Sequence, residues 1–130
     1  MTSEHGAAQL RDQRSPFADW FVSRAEVENL IGERATDLLA YVVSAASGDA
    51  IGADVFSTAL AASGTDAHNP DVTESERLLL DWARQAATNH RTVDAGVQSR
   101  FEGAFAASTR AQLVRFTALT VATSVVRLVG

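Results

Sequence analysis

The chain reads as all-α, and three observations predict it. Apolar residues recur at three- and four-residue spacing through most of the sequence, no stretch alternates apolar and polar residues as a half-buried strand does, and helix-capping residues stand at the joints between apolar runs. At 130 residues, 46% of them apolar, the chain is long enough for one domain with a real core. The expected organisation is a flexible N-terminal tail over 1–14 and a single helical domain over 15–130.

The tail, MTSEHGAAQLRDQR, mixes acidic, basic and small residues without an apolar run. It reads as neither a secretory signal nor a transit peptide, and the expected location is the cytoplasm. Ser15 and Pro16 then read as a helix start, serine at N-cap and proline at N1, with Phe17, Trp20 and Phe21 as the buried stripe. Val27, Leu30 and Ile31 mark a short amphipathic helix from about Ser23 to Ile31, which Gly32 interrupts or bends.

The stretch from Asp37 to Gly64 organises the rest. Leu38, Leu39, Val42, Val43, Ala45 and Ala46 follow at helical spacing and make a core helix whose small residues admit a close neighbour. Ser47-Gly48 ends it, because glycine reaches the left-handed conformation without a Cβ penalty, and Asp49 is placed to cap the next helix by accepting from its exposed amides. In that second helix Gly52, Phe56 and Leu60 recur at i, i+4, with Ile51, Val55 and Ala59 beside them, until Ser63-Gly64.

TDAHNPDV is dense in turn formers and reads as a loop. Thr73 and Glu76 form a capping box that opens a helix carrying Leu79, Leu80, Trp82, Ala83, Ala86 and Ala87. Asn89-His90 closes it. Val93-Asp94 opens a short helix with Val97, Phe101 and Phe105 on one side, and Ser108 is the expected cap of the last. In that final run the uncharged stretch between Arg115 and Arg127 falls short of the roughly 20 apolar residues a bilayer span needs, so a buried bundle helix is expected, with no membrane partner. Arg127, near the negative pole of the helix dipole, reads as structural.

Composition excludes several functions. A net charge of −5 with scattered arginines gives no nucleic-acid face. The absence of cysteine removes disulfides, thiolate metal sites, iron–sulfur clusters and thiol catalysis, and the absence of lysine removes Schiff-base chemistry. His68 with Asp66 and Asp71 has the residue types of a metal site but no ligand spacing, there is no glycine-rich phosphate loop, and no cofactor is expected.

From about Arg34 to Gly130 the chain resembles the carboxymuconolactone decarboxylase superfamily, which includes the alkylhydroperoxidase D-like proteins. In that family a helix reading like E-L-x-x-x-x-V-S-x-x-N-G runs into C-x-x-C-x-x-x-H. Here Val43-Ser44-Ala45-Ala46-Ser47-Gly48 fits the approach, and the family's acidic residue falls on Asp37. The two cysteines fall on Asp49 and Gly52 and the histidine on Phe56, so none of the three reactive groups is kept. A thiol at a helix N-terminus works because the exposed amides stabilise its thiolate; a carboxylate there keeps the capping role and has no sulfur to oxidise. The resemblance implies an antiparallel helical bundle of about six or seven helices, a homo-oligomer (trimer or hexamer), and a member without peroxidase or disulfide reductase activity.

The candidate pocket residues are therefore Asp37, Tyr41, Asp49, Gly52 and Phe56. Asp49 is fully explained as an N-cap and Asp37 as an acid favoured in an early helical turn, although the resemblance makes Asp37 a proton-relay position. If both faced one pocket, repulsion would raise the pKa of one and set an acid beside a base. Tyr41, one turn after Asp37, reads as a core tyrosine with a satisfied hydroxyl, or as a donor to Asp37 or a ligand. Two functions compete: a non-catalytic homo-oligomeric scaffold or small-molecule-binding protein, and a carboxylate-dependent enzyme comparable to the decarboxylase branch, acting on lactone acids.

Overall fold

A computed structural model of the chain describes residues 16–89 and 92–129, and all regular structure among them is helical. The helices are α1 (Pro16–Ile31), α2 (Glu33–Ala46), α3 (Ala50–Ala62), α4 (Glu74–Thr88), α5 (Ala95–Ala104) and α6 (Ala107–Val129). The fold is an all-α bundle, as the spacing predicts. The expected Ser15 cap, the tail with His5, and His90 lie outside the described residues.

Helix α2 is the hub, touching α1, α3, α4 and α6. That position follows from its sequence. From Ala35 to Ser44 every residue but Tyr41 is buried, and a helix apolar or small on nearly all sides can sit only among other helices. Around it Val27, Leu60, Leu79, Leu113 and Phe116 close the core, while Trp82 stacks on Phe101 with ring centroids 4.1 Å apart. Buried hydroxyls serve the same close packing: the Trp20 indole N–H donates to Thr120 Oγ1 at 2.9 Å and ties α1 to α6.

The joints form as read. Gly48 (φ 75°) and Gly64 (φ 85°) take the left-handed conformation just past α2 and α3. Both halves of the capping box are made, the Glu76 amide donating to Thr73 Oγ1 and the Thr73 amide to Glu76 Oε1. Asp94 caps α5 by accepting from the Val97 amide.

Three expectations are corrected. The two N-terminal helical segments are one helix, because nothing between Phe17 and Ile31 breaks it; the break comes at Gly32, with φ 89°. Phe21 is 65% exposed, since the buried stripe runs through Trp20, Ser23 and Val27 and the next residue after Trp20 turns about 100° away from it. Ser108 does not cap α6, which already begins at Ala107; the junction is instead held by Arg110, which donates to the Glu102 and Phe105 carbonyls left open at the end of α5.

By length and composition α6 could cross a bilayer, with a mean hydropathy of 1.3 over its most apolar window, of which 33% is buried here. In this fold it packs on α1, α2 and α4 through Leu113, Phe116, Thr117, Thr120, Thr123 and Ser124. Val125, Leu128 and Val129 stay exposed at its end.

Candidate functional site

Four helices leave a cavity of about 370 Å³ between them. Helix α1 supplies Phe17, Trp20, Phe21 and Arg24; α2 supplies Glu33 and Asp37; α3 supplies Val55, Phe56 and Ala59; and α6 supplies Thr123 and Arg127. Spacing explains the lining: Phe17, Phe21 and Trp20, Arg24 are i, i+4 pairs, as are Glu33 with Asp37 and Thr123 with Arg127. The walls are mainly aromatic. Trp20 sits 5.1 Å from Phe21 edge to face and 5.8 Å from Phe56, centroid to centroid. The volume is at the lower end of the roughly 300–1,000 Å³ typical of small-molecule sites.

Asp37 lies on this cavity, buried to 6% exposure, with Oδ1 2.6 Å from Arg24 Nη2. Arg24 also holds Glu28 through Nε at 2.6 Å, and its guanidinium carbon stands 5.6 Å from the centre of the Trp20 ring. One arginine thus serves two carboxylates and one aromatic face.

Asp49 lies behind the wall and is not part of the lining. It is 2% exposed and surrounded by donors. Oδ1 accepts from the Gly52 amide at 2.9 Å, which is the N-cap bond of α3, while Oδ2 accepts from Ser124 Oγ at 3.0 Å and Arg127 Nε at 2.7 Å, with Arg127 Nη2 at 2.6 Å. Burial pushes the Asp49 carboxyl up, but the Arg127 hydrogen bond, then the Gly52 amide and the Ser124 hydroxyl outweigh it and hold its pKa below the ordinary value. The Arg127 guanidinium carbon also stands 5.7 Å from the Phe17 ring centre.

The five residues read from the sequence therefore separate. Asp37 and Phe56 meet on the cavity, and Asp49 and Gly52 form the layer beneath it. Tyr41 is elsewhere: its hydroxyl lies 3.4 Å from His68 Nδ1, and no hydrogen bond joins it to Asp37. Asp37 and Asp49 do not share a pocket: each carboxylate has its own arginine, and the Asp49 pKa is held below its ordinary value rather than raised. Among the described residues no three His, Asp or Glu side chains are placed to hold a metal, His68 included.

Gly52 has a reason beyond helix geometry. A Cβ there would stand 2.3 Å from Asp49 Oδ2 and 2.9 Å from Arg127 Nη2, so the ion pair in this position relies on the missing side chain and would have to shift around any other residue. Arg24, the place of the buried Trp20 in the cavity wall and the reach of Arg127 are the features that residue spacing did not reveal. The available signal was Trp20, Arg24 and Glu28 at successive i+4 positions, which puts a cation on the face of α1 that begins with a buried tryptophan.

Comparison with family models, with curated proteins and with solved structures finds no match for this chain.

Proposed function

We propose that the chain is a redox-silent, homo-oligomeric protein of the alkylhydroperoxidase D-like type that binds a small, mostly apolar molecule without transforming it. The observation that carries this reading is the pairing of an aromatic cavity with a locked carboxylate. Phe17, Trp20, Phe21 and Phe56 give a concave apolar surface, and directly beneath it Asp49, at the position the resemblance assigns to a cysteine, is fully engaged by Gly52, Ser124 and Arg127. A carboxylate held below its ordinary pKa by those donors is a poor proton donor. Exposed apolar side chains on α1 (Phe21, Val22), α3 (Ile51, Val55) and α6 (Val125, Leu128) favour association of copies.

The test uses Trp20 as reporter. In a Trp82→Phe background, which keeps an aromatic ring against Phe101, Trp20 is the one remaining tryptophan and lies in the cavity wall. Titration with the uncharged dye N-phenylnaphthylamine is expected to change its emission saturably, and Phe56→Ala to weaken that binding. Absence of saturable binding would overturn the reading. So would turnover of a lactone acid that is lost in Asp37→Asn, which would point instead to the carboxylate-dependent enzyme.

A further inference from the structure

Two arginines in an aromatic cavity invite the conclusion that the ligand is an anion, and the charge arrangement argues the reverse. Arg24 is shared between Glu28 and Asp37, and Arg127 is held by Asp49 through two nitrogens. Glu33, one helical turn before Asp37 and on the same wall, has no ion-pair partner among the described residues. Each guanidinium is therefore already matched by a carboxylate, and Glu33 is left as the lining charge without an opposite partner among the described residues.

The aromatic faces point the same way. Arg24 already covers Trp20 and Arg127 already covers Phe17, which leaves Phe21 and Phe56 as the lining rings without a cation against them among the described residues. An incoming anion would meet guanidinium groups already neutralised by Glu28, Asp37 and Asp49 and would bring its own charge close to those carboxylates. An incoming ammonium group meets the unpaired Glu33 carboxylate and the second oxygen of Asp37, which accepts no hydrogen bond among the described residues, while its apolar body lies along the aromatic wall.

Resting on the reading of this cavity as a ligand site, we propose that its ligand is an organic cation: an amine with an aromatic or aliphatic body, its ammonium group seated at Glu33 and Asp37. Glu33 is the residue that sets this preference, because it lines the cavity, is exposed at its rim, and opens α2 without being needed by the core.

The experiment compares three molecules of one shape, naphthylmethylamine, naphthylmethanol and naphthoate, by displacement of N-phenylnaphthylamine from the Trp82→Phe protein. The expected order is amine, alcohol, acid, with the amine ahead of the alcohol by about three- to fivefold at low salt and the gap narrowing at high salt. In Glu33→Gln the amine should lose its lead over the alcohol. An acid that binds as well as the alcohol or better overturns the cation assignment and leaves the ligand site standing. An amine lead that survives Glu33→Gln overturns the role of Glu33. If neither the dye nor any of the three binds, the cavity is not a ligand site and both conclusions fall.

Discussion

Arg127, in the last turn of α6, reaches Asp49 at the N-cap of α3 and places Nη2 2.6 Å and Nε 2.7 Å from one carboxylate oxygen, across 78 residues of chain. The contact joins two elements that otherwise share little surface, and it ends a helix dipole and begins another with complementary charges. Because the aspartate is nearly inaccessible and the arginine a quarter exposed, the pair is costly to break from one side.

Removing the arginine should show that asymmetry. Arg127→Met leaves Asp49 charged, buried and short of two donors, and is expected to cost about 2–3 kcal/mol, at or below the foot of the roughly 3–5 kcal/mol range for a broken buried pair because Arg127 is partly solvated. Asp49→Asn keeps an oxygen for the Gly52 amide and should cost less, about 1–2 kcal/mol. Urea denaturation of the two variants and their double mutant gives the coupling; strict additivity would mean that the pair contributes nothing.

Acid should act through the same group. The Asp49 pKa is lower folded than the ordinary 3.8, so the folded state binds its proton less readily than the unfolded chain does. The stability this adds is complete above the unfolded value and is lost as pH falls through the lower folded one. The urea midpoint of the wild-type chain should therefore drop more steeply below about pH 4 than that of Asp49→Asn. Parallel acid limbs would assign the acid response to other carboxylates.

Glycine-to-alanine exchange should have opposite signs at two helical sites. Gly103→Ala in α5 meets open space and should stabilise by several tenths of a kcal/mol through helix propensity. Gly52→Ala has the same propensity gain, yet its Cβ would stand 2.3 Å from Asp49 Oδ2, so the ion pair must shift and the variant should be less stable than the parent. Thermal melts of both distinguish the two; stabilisation by Gly52→Ala would mean that the pair can move at no cost.

Phe56→Ala should cost about 3 kcal/mol, the low end for a buried phenylalanine, because its ring is 8% exposed and already borders a cavity on one side. A loss under about 1 kcal/mol by denaturant titration would place the ring outside the core.

The joints and the tertiary network differed in legibility for a physical reason. Thr73 with Glu76, Gly48 past α2, Asp94 before α5 and the capping bond of Asp49 are contacts between residues within a few positions of each other, governed by helix geometry alone. Residue spacing carries that information, and the all-α class follows from it. The same spacing placed Phe21 with Trp20 because both are large and apolar, although one residue along a helix is a different face.

Residue order alone accounts for the helices, most of their ends, the missing thiol chemistry and the cap at Asp49. Packing in three dimensions is what brings Arg127 and Ser124 onto that cap, gives Asp37 to Arg24, and turns Tyr41 to His68 away from both. Local rules extend about one helical turn, whereas a buried charge selects its partner by proximity in the packed state, where the penalty for leaving it alone is large.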